Sequence, residues 1–229
     1  MDTNAKFSFI SQLDIFKVLD ERYINQLSNQ SSLVNFSKGS KIFESGDRIN
    51  YIYIVKNGSV KVGLTVDVDK VLIKEILFEN EIIGENIFNG QMERRQFAEV
   101  ISDAEVLQIP VKYFKSLLEN SSLLCHELSK VFISRLSNLE SRMSNFVFKK
   151  AQNRIYLFLK EMANTKGIKI GLEEILIHHG LSHREIAHIT DTSRQTVARV
   201  LSELKKGNII HFSPRKPHKI LIRDMAFLG

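Results

Sequence analysis

From residue 122 to residue 148 the chain repeats one rhythm: Leu128, Phe132, Leu136, Leu139, Met143 and Phe146 follow one another at steps of 4, 4, 3, 4 and 3. Steps of three and four keep side chains on one face of an α-helix, so the stretch predicts one long amphipathic helix. Glu127, Arg135, Glu140 and Arg142 flank the stripe, which gives it the make-up of a coiled-coil seam. Such a stripe pairs with a copy of itself or packs along the protein's own strands, and spacing alone leaves both open. A helical rhythm also runs through residues 11–29, with Leu13, Ile15, Phe16, Val18, Leu19, Ile24 and Leu27, and through residues 151–164.

Between Leu33 and Pro110 the pattern changes to short β-branched and aromatic runs broken by glycine and charge: KGSKIF, ESGD, INYIYIVKNGSVKVGL, VLIKEILF and FAEVISDAEVLQIP. Many short strands at close spacing predict an antiparallel barrel or double-sheet roll. Asn57-Gly58, between YIYIVK and SVKVGL, predicts a tight hairpin, because a primed turn needs residues that accept positive φ. Two more pairs of short strands are expected, one in IKIGLEEILI and one in NIIHFSPRKPHKILIRD.

Composition alters this picture at three points. No run approaches the roughly 18 consecutive apolar residues of a membrane helix, and the start MDTNAKFSFISQ lacks a basic segment followed by an apolar one. The chain therefore reads as soluble, with no membrane partner, and cytoplasmic. Cys125 is the single cysteine, which excludes an internal disulfide and a redox sensor built on a cysteine cluster. Charge is uneven: residues 1–149 carry 18 Lys+Arg against 19 Asp+Glu, while residues 150–229 carry 14 against 7. A C-terminal part that is net +7 suits a polyanion, with a basic surface kept for solubility as the alternative.

The most specific chemistry lies in SHREIAHITDTSRQTVARVLSEL, residues 182–204. His183, Glu185 and His188 invite a metal reading, but the two histidines are five apart, about 140° around a helix, where a shared metal needs a spacing of four. Two helices account for the same residues better. Ser182 with Glu185 makes one capping box, Thr192 with Gln195 makes a second, and Asp191 suits a turn position at positive φ. Ile186, Ala187 and Ile189 on the first helix face Val197, Val200, Leu201 and Leu204 on the second. A helix-turn-helix presents the N-terminal residues of its second helix to the major groove. Arg194 and Arg199 are then candidates for bidentate bonds to guanine, and Gln195 for adenine. Ser182, Ser193 and Thr196 are candidates for phosphate contacts. Gln195 has a competing use in its capping box, and Ser193 in starting the helix.

In this order, the strands, seam helix and helix-turn-helix resemble the Crp/Fnr superfamily of bacterial transcription regulators over nearly the whole length. The resemblance is carried by KGSKIFESGD, YIYIVKNGSVKV, Gly84-Glu85 followed by an arginine, NFVFKKAQNRI and LSHREIAHITDTSRQTVARVLSELKKGNII. It implies an α+β fold: an N-terminal antiparallel β-roll of the cyclic-nucleotide-binding kind, with N-terminal helices, over residues 1–110. A long dimerisation helix region over 111–149 and a winged helix-turn-helix over 150–229 would follow. It further implies a homodimer joined along the stripe from Leu128 to Phe146, binding to double-stranded DNA, a small-molecule effector sensed by the roll, and RNA polymerase as a partner. The strands around SPRKPHK would form the wing, with Arg215, Lys216 and Lys219 near the phosphate backbone.

In the cyclic-nucleotide-binding members, a Gly-Glu pair and an Arg-Ser/Thr-Ala run build the phosphate pocket. Gly84, Glu85 and Arg94 match that pattern, with Arg95 a further pocket candidate, yet Arg95-Gln96 stands where the hydroxyl residue and alanine belong. Leu139-Glu140 stands where cyclic-AMP-responsive members place a Thr-Ser pair against the adenine, and a glutamate facing a phosphate-bearing ligand is costly. Both departures argue against cyclic AMP, and an ion pair between Glu85 and Arg94 is the structural alternative. Gln195 replaces a glutamate of those members, so the preferred half-site should differ there. No residue identifies the effector or a cofactor. No nucleophile motif, phosphate loop or metal spacing suggests an enzyme, and Cys125 has no activating partner in sequence. A ligand-binding module that docks a protein through its basic C-terminal part is the competing expectation.

Overall fold

A computed structural model describes residues 3–67, 70–88, 90–171, 174–178, 180–213 and 219–228. The chain divides between Ser137 and Asn138 into two compact units. The N-terminal unit opens with α1 (Thr3–Gln12), a 3₁₀ turn at Asp14–Phe16 and α2 (Glu21–Gln30). The single helix expected over residues 11–29 is thus broken, with Asp20 extended at the start of α2. The break folds α1 back along α2, so that Ser28 Oγ donates to Thr3 O at 3.0 Å and the buried Lys6 ammonium donates to Ser31 O at 2.7 Å. A cation at the C-terminal end of α2 complements the helix dipole, which a straight helix could not arrange.

Six strands follow: β1 (Ser32–Phe36), β2 (Lys41–Phe43), β3 (Tyr51–Asp67), β4 (Lys70–Leu77), β5 (Ile82–Ile83) and β6 (Phe97–Pro110). All pair antiparallel in the order β1-β6-β3-β4, with β2 added to β6 and β5 to β3. Period-two alternation places both faces of β3 and β6 in apolar surroundings. Ile52, Ile54, Leu107 and Ile109 join the helices in one core, whereas Tyr53, Val55, Ala104 and Val106 fill the interior of the roll.

The hairpin expected at Asn57-Gly58 does not form, because β3 runs through both residues. Register with β6 slips there, from Val55 opposite Val106 to Asn57 opposite Glu105 and Ser59 opposite Ser102. Gly58 takes φ +90°, and a Cβ at this position would lie 2.4 Å from the Asp103 carbonyl oxygen. Its left-handed backbone therefore makes a bulge that bends one long strand instead of reversing it. β3 pairs instead with β4, out to Asp67 opposite Lys70.

The unit closes with α3 (Val111–Asn120) and the first half of α4 (Ser122–Phe148), the helix read from the 3-4 rhythm. Leu124 and Leu128 are buried in the same core as α1 and α2. Leu128 therefore belongs to the protomer's own interior, which corrects its assignment to a dimer seam: the surface a partner would need is already covered.

The C-terminal unit comprises the rest of α4, then α5 (Ala151–Lys166), β7 (Gly167–Lys169), β8 (Ile175–His178), α6 (His183–Ile189), α7 (Arg194–Lys206), β9 (Ile210–Phe212) and β10 (Lys219–Ile222). Its strands pair in the order β7-β8-β10-β9, so both expected strand pairs form. Ile155 and Leu159 of α5, Ile186 and Ala187 of α6, and Val197, Val200, Leu201 and Leu204 of α7 are buried together with Ile177, Ile210, Ile220 and Ile222 from the strands. The fold is an antiparallel β-roll, a long helix and a winged helix-turn-helix. Among the described residues, no helix is long and apolar enough to cross a membrane.

Gly58→Ala should lower stability by about 1–3 kcal/mol from left-handed strain, with the clash at Asp103 adding to it. Urea unfolding followed by circular dichroism measures this, and an unchanged midpoint would show that the bulge can relax.

Candidate nucleic-acid interface

Helix α6 starts as its sequence dictates. Glu185 N donates to Ser182 Oγ at 3.3 Å, and Ser182 N donates to Glu185 Oε2 at 2.7 Å, a complete capping box. It ends at Thr190, followed by Asp191 at φ +52° and a bond from Thr192 N to Ala187 O at 2.9 Å. This is the six-to-one bond of a left-handed helix stop, and Asp191 occupies the position usually held by glycine.

Helix α7 begins one residue later than the second capping box implies. Its cap is Ser193, whose Oγ accepts from Thr196 N at 3.0 Å and lies 2.9 Å from Thr196 Oγ1. Thr192 is not the cap, and its amide, already bonded to Ala187 O, has no bond to spare for a Gln195 side chain. Arg194, Gln195 and Arg199 are exposed on α7, and Gln195 is no longer a partner of Thr192 in capping. Arg199 Nη1 donates to Glu203 Oε1 at 2.9 Å with both side chains about half exposed. An exposed i,i+4 pair of this kind contributes only about 0.3–0.5 kcal/mol, so a better acceptor on a base edge displaces Glu203 readily.

The wing lies partly outside the described residues: Arg215 and Lys216 fall in the gap at 214–218. Lys219 opens β10 directly opposite His178 of β8, and Ser213 N donates to Lys219 O at 3.1 Å, closing the strand ends. Desolvation and the Lys219 charge lower the His178 pKa from its ordinary value, which favours a neutral ring beside Lys219.

Two arginines that the sequence reading did not assign to the site hold the turn. Arg142 of α4 grips the Asp191 carboxylate with Nε on Oδ2 at 2.8 Å and Nη2 on Oδ1 at 2.6 Å, and Nη2 also donates to His188 O at 2.9 Å. Arg154 of α5 donates to Thr190 O at 2.8 Å and Asp191 O at 2.7 Å, with its guanidinium 5.3 Å from the Phe146 ring. Both cations sit at the carbonyl end of α6, where the helix dipole favours them. The signals were present but separate: Arg142 appeared only as a flank of the seam, and Asp191 only as a turn former.

In the N-terminal unit, the proposed phosphate arginine is turned inward. Arg94 is 3% exposed, its guanidinium lies 3.8 Å from the Phe43 ring and 5.4 Å from that of Tyr53, and Nη2 donates to Tyr51 O. Burial raises the Tyr53 pKa above its ordinary value, while the charge of Arg94 opposes that shift. Gly84 is buried at φ +148°, and a Cβ there would lie 2.6 Å from Ile52 Cγ2. Arg95 is exposed. Glu85 opens a short 3₁₀ turn, and its side chain lies outside the described set. Leu139 and Glu140 are both exposed on α4. Of the apolar stripe, Phe132 packs edge-on against Phe88 at 5.3 Å, whereas Leu136, Leu139, Met143 and Phe146 stay exposed.

Two families match the chain: the cyclic nucleotide-binding domain over residues 33–121 and the Crp-like helix-turn-helix domain over residues 153–229. The chain is 26% identical over 193 residues to the cyclic AMP receptor protein of Thermus thermophilus, covering 84% of each. It is 25% identical over 204 residues to the anaerobic regulatory protein of Bacillus subtilis, covering 88% of this chain and 84% of that one. Among solved structures, a mutant CooA from Carboxydothermus hydrogenoformans aligns with a TM-score of 0.72 at 26% identity, covering 87% of both chains.

Titrations against duplexes at several salt concentrations test the interface. Arg194→Ala should lose about 1–3 kcal/mol of discrimination between sequences, and Lys219→Ala should weaken all sequences alike and flatten the salt slope by about one. Glu203→Gln should tighten binding to every duplex several-fold by releasing Arg199 and removing a negative charge, with stability changed by less than about 0.5 kcal/mol. Looser binding by this variant would mean that Glu203 orients Arg199 for DNA.

Proposed function

We propose that this chain, which belongs to the Crp/Fnr superfamily of DNA-binding bacterial transcription regulators, acts as a cytoplasmic homodimer that reads a two-fold symmetric DNA site. The observation that carries the reading is the head of α7, where Arg194, Gln195 and Arg199 are exposed on a unit rich in positive charge. Arg194 and Arg199 take guanine edges, Gln195 takes an adenine, and Ser182, Ser193, Thr196 and Lys219 meet phosphates together with Arg215 and Lys216 of the wing.

The exposed stripe of Leu136, Leu139, Met143 and Phe146 supports the dimer, since side chains at steps of 3, 4 and 3 form one continuous apolar ridge on α4. In this reading the roll senses a small effector other than cyclic AMP, and α4 carries the response to the reading head. Three features support the exclusion: the inward stacking of Arg94, the Arg95-Gln96 pair, and Leu139-Glu140 in place of hydroxyl residues. Family membership extends the partners to RNA polymerase.

Selection from a random duplex pool, with and without cyclic AMP, tests the proposal. A two-fold symmetric consensus that cyclic AMP does not alter is expected, and Met143→Asp should abolish it by separating the protomers. Recovery of no consensus, with capture of a protein partner only, would support docking to protein instead. A consensus that appears only with cyclic AMP would overturn the effector reading.

A further inference from the structure

We infer that Arg142 and Asp191 form a positioning pair that fixes the reading helix against the end of α4 and thereby sets the half-site spacing the dimer accepts. The inference rests on the dimeric, DNA-reading role proposed above. Arg142 adjoins Met143 of the exposed stripe and precedes Phe146 by about one turn, while Asp191 stands three residues before Arg194. Side-chain links among the described residues connect the stripe that would join two protomers with the residues that would read DNA. They include the two-pronged bond from Arg142 to Asp191, and Arg154, whose guanidinium lies 5.3 Å from the Phe146 ring and holds the carbonyls of Thr190 and Asp191.

The chemistry of position 191 supports a role beyond closing the turn. The backbone there is left-handed, a conformation glycine adopts without strain, and a helix stop needs no side chain. An aspartate is present nonetheless, with both oxygens on one guanidinium and only about a fifth of each partner's side chain exposed. A planar fork that binds a carboxylate twice and a carbonyl once fixes direction as well as distance, which a single ammonium cannot do. Spacing between half-sites is the separation of two copies of α7 across the dimer axis. Any rocking of α7 on α4 therefore enters twice, once in each protomer.

The test uses full-length wild type, Asp191→Gly, Asp191→Asn and Arg142→Lys. The duplexes are the site selected by the wild type, the same site with one base pair inserted at its centre, and an isolated half-site. The wild type is expected to prefer the selected spacing by about tenfold or more. Asp191→Gly should melt close to wild type, because relief of the left-handed backbone offsets part of the lost ion pair, and should bind the half-site as the wild type does. Its preference between the two spacings should nevertheless collapse to about twofold or less. Asp191→Asn, which keeps the shape and one acceptor, should recover part of that preference, and Arg142→Lys should recover little.

A wild-type spacing preference in Asp191→Gly overturns the inference, as does a half-site affinity that falls in proportion to that for the full site, since the pair would then serve only the local turn. A wild type that binds the half-site as tightly as the symmetric site overturns the dimeric reading underneath, and with it any role in spacing.

Discussion

One helix face must satisfy two demands in this protein. The apolar stripe of α4 begins inside the protomer, where Leu124 and Leu128 complete a core shared with α1, α2 and α3, and continues as an exposed ridge at Leu136, Leu139, Met143 and Phe146. The buried part fixes the helix on the roll, and burying a Leu side chain stabilises by roughly 1.5–3 kcal/mol. The exposed part has no such reward in a single protomer, which is why the ridge points to a second copy. Helix α4 itself runs unbroken from Ser122 to Phe148.

Within the C-terminal unit, the second half of α4 is engaged through charge. Helix α6 leaves carbonyls open at its end, and the guanidinium groups of Arg142 and Arg154 satisfy those of His188, Thr190 and Asp191. These bonds tie the turn that precedes α7 to α4 and α5, three residues before Arg194. In the roll, the buried Arg94 illustrates the opposite use of the same side chain: stacked on Phe43 and bonded to Tyr51 O, it serves the protein's interior.

Much of this was legible in sequence wherever pattern and local chemistry agreed. The rhythm of 122–148 gave α4 to its last residue, and Ser182 with Glu185 gave the start of α6 together with the left-handed Asp191. The misreadings share one cause, which is that a local signal admits more than one tertiary use. Asn57-Gly58 supplies positive φ to a bulge as readily as to a hairpin, and only the close approach of Asp103 decides between them. Thr192 and Ser193 are both able to cap; Ser193 does so, while the Thr192 amide closes α6. Leu128 keeps the seam's rhythm but lies under the roll. Arg142 and Asp191 are 49 residues apart, and no periodicity links two charges across that distance.

Two copies of this chain, joined along the α4 ridge, would place two α7 heads on one symmetric DNA site. Native mass spectrometry of the protein bound to its selected duplex tests this arrangement most directly. Two protomers per duplex, and still two when the duplex is cut to a half-site because the ridge and not the DNA joins them, is the predicted result. A single protomer on the full symmetric site would contradict the account.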